Sequence, residues 1–226
     1  MPALLSAVLP MPCPLCGSGV PFDGEPNMFC SGCLARMPMI RGKACRTCGA
    51  EIDGIFDSCS DCMNAPKPPW TRAYALFKYT DEVRDCVHLF KYRKRTELAR
   101  PLARLAAGLL DETSPHYDAV VPVQRGYNQS ALFAGELALR AGIPAMRLLK
   151  RERHTPKQAF LTRKERNLNI KGAFSILNST DAEKRSILLV DDVMTTGATL
   201  SEAAGVLLNC GAARVDVLVI ARRQRN

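Results

Sequence analysis

The run Ser186-Ile187-Leu188-Leu189-Val190-Asp191-Asp192-Val193-Met194-Thr195-Thr196-Gly197-Ala198-Thr199-Leu200 holds the residue types and spacing best suited to chemistry. An apolar strand ends in two adjacent carboxylates, and a short Thr/Gly turn then opens a helix. A helix start offers backbone N–H groups and the positive end of its dipole to an anion. Gly197 lets the backbone come close, and the hydroxyls of Thr195, Thr196 and Thr199 add donors. Asp191 and Asp192, at the carboxyl end of the strand, can accept hydrogen bonds from sugar hydroxyls or help hold Mg2+. The implied ligand is a phosphate beside a ribose. An ordinary strand-to-helix connection with a threonine cap, or a receiver-type acidic pocket, would not need two carboxylates, two threonines and a glycine together.

The second chemical signal is cysteine spacing. Eight of the ten cysteines fall in the first 62 residues as four CxxC pairs: Cys13/Cys16, Cys30/Cys33, Cys45/Cys48 and Cys59/Cys62. The pairs form an internal repeat, because Cys13 to Cys45 and Cys16 to Cys48 are both offset by 32, and Cys30 to Cys59 and Cys33 to Cys62 by 29. In a reducing compartment such pairs read as metal ligands rather than disulfides, and four thiolates close a structural zinc site with no open position for catalysis. Two Zn2+ are expected, one on Cys13, Cys16, Cys30 and Cys33 and the other on Cys45, Cys48, Cys59 and Cys62, with an interleaved cross-brace as the alternative. The segment has too little apolar material for a core of its own, so metal must stabilise it, by about 10–16 kcal/mol per structural site.

Cys86 and Cys210 lie on expected helices among apolar neighbours and read as small buried hydrophobes. His88, His116 and His154 show neither metal nor triad spacing.

The elements that must position these residues follow from periodicity. Pro66, Pro68 and Pro69 form a stiff boundary, dividing a zinc-ribbon unit, 1–69, from a second domain, 70–226, with a hood region at 70–112 and a core at 113–226. Strands are expected at 72–79, 118–123, 145–149, 173–177, 186–190 and 215–221. Helices are expected at 81–92, 97–111, 129–141 and 197–209, and 150–171 reads as loop. Strands alternating with helices predict an α/β fold, a mostly parallel sheet with helices on both faces.

Val190-Asp191-Asp192-Val193-Met194-Thr195-Thr196-Gly197-Ala198-Thr199 resembles the 5-phosphoribosyl-1-diphosphate (PRPP) motif of type I phosphoribosyltransferases. The chain from Cys13 to Arg222 is similar to ComF family proteins, competence-associated and phosphoribosyltransferase-like, which carry an N-terminal double zinc ribbon. Further matches are Arg125-Gly126-Tyr127-Asn128-Gln129, Thr155-Pro156-Lys157-Gln158-Ala159, Arg163 to Asn167, and Lys171-Gly172-Ala173-Phe174. The resemblance implies that Asp191 and Asp192 hold the ribose hydroxyls, that 195–199 hold the 5'-phosphate, and that Arg125 and Gly126 belong to a pyrophosphate loop. It also implies Mg2+ bound with PRPP. Two departures stand out: the stretch Pro122 to Gly126 is shorter than the family pattern, and Thr195 stands where purine-type transferases carry an acidic residue.

The 226 residues carry a formal net charge of +9, and the surplus is uneven. Residues 1–70 hold 5 Lys/Arg against 6 Asp/Glu, leaving 26 against 16 in 71–226. From Arg147 to Lys171 there are nine cations (Arg147, Lys150, Arg151, Arg153, Lys157, Arg163, Lys164, Arg166, Lys171) against Glu152 and Glu165. Such a cluster suits a lid over a departing pyrophosphate or a track for single-stranded DNA, with DNA-uptake proteins as partners. Two functions therefore compete. One is a PRPP-binding phosphoribosyltransferase-like protein linked to competence or nucleotide handling. The other is a single-stranded nucleic-acid binding module that retains a PRPP-type pocket without turnover. A mean hydropathy of -0.07 and apolar runs far shorter than a bilayer span argue against membrane insertion. No basic, apolar leader precedes the cysteines, which points to the cytoplasm.

Overall fold

The structure is a computed structural model that describes residues 11–21, 28–93, 95–110, 114–123, 129–152 and 172–223. In chain order the elements are β1 Met11–Pro12, β2 Gly19–Val20, α1 Ser31–Arg36, α2 Ser60–Met63, β3 Ala73–Lys78, α3 Asp81–Tyr92, α4 Ala99–Ala107, β4 Ala119–Pro122, α5 Gln129–Ala141, β5 Leu149–Arg151, β6 Phe174–Ile176, β7 Ser186–Met194, α6 Ala198–Asn209 and β8 Arg214–Arg222. Four strands pair in the order β3-β8-β7-β4, and all three pairings are parallel. Parallel strands need crossover helices, which cover both faces, so the strands read as unbroken apolar runs.

The two faces carry separate cores. On one, Val83, Cys86, Val87 and Phe90 of α3, Leu102 and Ala106 of α4, and Phe133 and Leu137 of α5 pack over Leu188, Val190, Leu218 and Ile220. On the other, Leu200, Ala203, Ala204 and Leu207 of α6 pack over Ile187, Leu189, Val215, Val217 and Val219. Each fully buried Leu or Phe contributes about 1.5–3 kcal/mol. Helix α3 begins where Thr80 Oγ1 accepts the Val83 N–H, with Asp81 and Glu82 at the positive end of the dipole.

The cysteine segment is built into this frame. Cys13 and Cys33 join the α3 side and Cys45 and Cys48 the α6 side, so the two quartets flank the sheet. Between them the Ile40 N–H donates to Leu76 O and the Lys78 N–H to Pro38 O, both at 2.9 Å, adding an antiparallel stretch to the outer edge of β3. That stretch covers N–H and C=O groups an edge strand would otherwise leave open.

Several boundaries differ from the sequence expectations. The expected strand 186–190 continues to Met194, with Val193 paired to Ala221 and Met194 to Arg222, so the two carboxylates lie inside β7. The expected helix 97–111 is a 3-10 turn, Thr96–Leu98, followed by α4, whose regular bonding ends before Gly108. The expected strand 145–149 reduces to one bridge from Ala145 to Val120. Pairing resumes at Leu149–Arg151, which forms an antiparallel ladder with β6 although Lys150 and Arg151 read as loop in the sequence. Residues 153–171 lie outside the described residues. Among the described residues, no helix is long and apolar enough to cross a membrane.

Candidate functional site

Strand β7 delivers Asp191 and Asp192 to the site almost fully buried, at 0% and 4% exposure. Asp191 Oδ1 accepts the Asp192 N–H at 2.9 Å, and Asp192 Oδ1 accepts the Val193 N–H at 2.7 Å. The other oxygen of Asp192 is ion-paired with Lys91 in the last turn of α3. Lys91 is itself fixed, because the buried Gln129 at the start of α5 donates from Nε2 to its carbonyl at 2.9 Å. A buried carboxylate without such partners would be costly.

Beyond Met194 the chain turns through Thr195, Thr196 and Gly197 into α6. Gly197 has φ +80, a left-handed conformation that strains any residue with a Cβ. An ideal Cβ there would also lie 3.1 Å from the Trp70 ring. No side chain caps α6 at Gly197, although Thr196 Oγ1 lies 3.4 Å from the Ala198 N–H. The helix therefore presents its first N–H groups and positive dipole end beside Thr195, Thr196 and the buried Thr199, which is the chemistry of an anion cup. All the residues expected from 191 to 199 converge here. Arg125 and Gly126 lie outside the described residues, as does His154.

Lys91, Trp70 and Arg222 also belong to the site, and sequence reasoning missed them. Arg222, only 6% exposed, donates from Nη1 to Thr195 O at 2.7 Å and to Met194 O at 3.2 Å, pinning the turn from beneath. The only signal in the sequence is an arginine closing the apolar run Val217 to Ala221. Across the carboxyl ends of β3 and β8, next to this turn, runs an open cleft lined by Tyr79, Thr80, Asp81, Glu82, Arg84 and Arg223.

The cysteines gather as Cys13/Cys16/Cys30/Cys33 and Cys45/Cys48/Cys59/Cys62, the sulfurs of each set within 4.8 Å of one another. Each half is self-contained, and the cross-brace is not the arrangement seen. The two sets repeat in detail. Gly17 N donates to Cys13 O at 2.8 Å as Gly49 N does to Cys45 O at 2.7 Å. Cys30 N reaches Cys13 Sγ at 3.4 Å as Cys59 N reaches Cys45 Sγ at 3.3 Å. Within the second set Cys45 is pulled toward thiolate, first by hydrogen bonding with Cys48, while that same bond and burial push the Cys48 thiol up. Thiols crowded this way share protons, and a divalent cation would replace them, so the donor set fits structural zinc. Gly49 has φ +71, and a Cβ there would meet Ala75 N at 3.0 Å, so this knuckle lies directly on the β3 backbone.

Cys86 is a buried core residue whose thiol is pushed up to about 12, first by burial. Cys210 packs partly buried against the α6 core, and His88 lies against the Tyr92 ring at 4.8 Å. His116 is exposed.

A parallel sheet with a phosphate-type turn at the end of a buried Asp-Asp strand defines a phosphoribosyltransferase-type domain. The family described as phosphoribosyl transferase domain matches residues 91–226, and the double zinc ribbon domain matches residues 4–63. The chain belongs to this phosphoribosyl transferase family and, within it, to the ComF group of competence and DNA utilization proteins. It is 31% identical over 211 residues to competence protein F of Haemophilus influenzae, covering 87% of this chain and 91% of that protein. It is 34% identical over 211 residues to DNA utilization protein YhgH of Salmonella typhi, covering 86% and 90%. Competence protein ComFC of Bacillus subtilis is 28% identical over 204 residues, covering 81% and 79%.

Proposed function

We propose that the chain binds PRPP together with Mg2+ at residues 191–199. The single observation that carries this reading is the joining of two buried carboxylates to a helix start whose cap residue is a left-handed glycine without a side chain. The 5'-phosphate takes the N–H groups and hydroxyls of 195–199, and the ribose hydroxyls donate to Asp191 and Asp192, with Lys91 sharing or yielding its place on Asp192. Arg125 and Gly126 serve the pyrophosphate. In transfer, an acceptor nucleophile bonds to the ribose C1 while the C1–O bond to pyrophosphate breaks, its electron pair leaving with the pyrophosphate. The protein's part is positioning and charge stabilisation. Titration calorimetry with PRPP and Mg2+ tests the reading; a wild-type protein that gives no saturable heat defeats it. Turnover of PRPP with candidate bases tests the transfer step.

A second activity, binding of single-stranded DNA, draws support from the charge surplus in 71–226 and from the names of the relatives, competence protein F and DNA utilization protein YhgH. Its test is oligonucleotide binding across salt concentrations by the wild type and an Arg163→Ala/Lys164→Ala/Arg166→Ala variant. Every phosphate that the variant no longer neutralises flattens the log-log slope by about 0.7. Equal slopes would show that these residues do not touch the strand. We place the protein in a reducing cytoplasm, where eight thiolates can hold metal, beside DNA-uptake proteins. Residues 1–69 act as the zinc-ribbon unit and 70–226 as the PRPP-binding unit.

A further inference from the structure

Arg222, almost fully buried, braces the phosphate turn from beneath through its hydrogen bonds to the carbonyl oxygens of Met194 and Thr195.

Trp70 ties this turn to the second cysteine quartet. Its indole Nε1–H donates at 2.8 Å to the carbonyl of Thr47, which sits between Cys45 and Cys48. The far edge of its ring closes on Gly197, where an ideal Cβ would lie 3.1 Å away. The first quartet packs on the other face of the sheet: Cys13 and Cys33 join the α3-side core, and Arg95 Nη2 donates to Pro14 O at 2.8 Å.

We propose that Trp70 is a positioning residue that couples the second cysteine quartet to the phosphate turn. Metal on Cys45, Cys48, Cys59 and Cys62 and a phosphorylated sugar on residues 195–199 then stabilise one another, while metal on the first quartet is indifferent to the ligand. The inference rests on the phosphate-turn reading above. Coupling between two sites is reciprocal, so it can be read from the metal side.

The experiment follows zinc transfer from the fully loaded chain to a zinc-selective chromogenic chelator, with and without PRPP and Mg2+, alongside PRPP affinity by calorimetry. In the wild type two release phases are expected, one slowed about fivefold or more by PRPP and the other unchanged. In Trp70→Phe, which keeps an apolar ring but loses the bond to Thr47, the protection should be lost. Trp70→Leu, which loses both the bond and the ring, carries the test if Trp70→Phe fails to fold. The coupling is overturned if the wild type binds PRPP yet releases both metals at unchanged rates, or if a folded Trp70→Phe or Trp70→Leu variant that binds PRPP keeps full protection. A wild type that does not bind PRPP instead removes the phosphate-turn reading, and the coupling with it.

Discussion

Gly197→Ala isolates what the turn contributes. At φ +80 an alanine is held in the left-handed region, at a cost of about 1–2 kcal/mol. Its Cβ would also lie 3.1 Å from Trp70 Cη2, so the ring must shift by a few tenths of an ångström while its Nε1–H stays tethered to Thr47 O. Straining or losing that bond adds about 0.5–1.5 kcal/mol. The sum, about 1.5–3.5 kcal/mol, lowers Tm by about 3–14 °C for a chain of this size. PRPP affinity should fall more than about tenfold, since a displacement of 1.4 kcal/mol at the phosphate suffices for that. Thermal unfolding in zinc-saturated buffer, with metal occupancy held fixed, reads the first effect and calorimetry the second. Repeating the substitution in a Trp70→Phe background separates its two causes. The shorter ring leaves room for the Cβ, so the added cost should drop to the backbone part, a non-additivity of about 1 kcal/mol. Equal costs in both backgrounds would refute the packing argument, and unchanged Tm and PRPP affinity would refute the roles given to the turn altogether.

Elemental analysis should find about two zinc ions per chain, and chelation should lower Tm steeply, because the cysteine segment shares its apolar residues with two cores instead of owning one. A single ion with the segment still folded would contradict this. Asp191→Asn and Asp192→Asn should each weaken PRPP binding by more than about tenfold. Asp192→Asn should also cost about 1–3 kcal/mol of stability, since it sets an amide against the ammonium of Lys91; calorimetry and denaturant melts separate the two effects. Asp216 is a control at the opposite end of β8, fully buried and accepting from Tyr117 OH at 2.7 Å, Arg214 Nη2 at 2.9 Å and Arg72 N at 2.9 Å. Asp216→Asn should cost about 3–5 kcal/mol in melts yet leave the PRPP affinity of the folded protein unchanged.

Much of the site was legible in the sequence because the signals are local. The Asp-Asp-Thr-Thr-Gly turn is contiguous, the cysteine offsets of 32 and 29 reappear as matched hydrogen bonds in the two knuckles, and Val83, Val87 and Phe90 share the buried face of α3 that their spacing implies. What escaped depends on packing across the fold. Two carboxylates read as the end of a strand, yet backbone N–H groups and Lys91 satisfy Asp192, so β7 runs on to Met194. Lys91 belongs to none of the motifs in the sequence, and only the crossing of α3 over the sheet brings it to Asp192. Strand β5 escaped because Lys150 and Arg151 are polar, while its ladder with β6 is fixed by the burial of Leu149 and Phe174. Arg222 pins a turn that precedes it in the chain, a relation that periodicity does not encode.

A PRPP site at residues 191–199 is tested most directly by a crystal structure of the zinc-loaded chain grown or soaked with PRPP and Mg2+. The 5'-phosphate is expected within hydrogen-bond reach of the backbone N–H groups of 196–199, and the ribose hydroxyls on Asp191 and Asp192. Density for PRPP elsewhere on the molecule, or a turn left empty at saturating ligand, would contradict it.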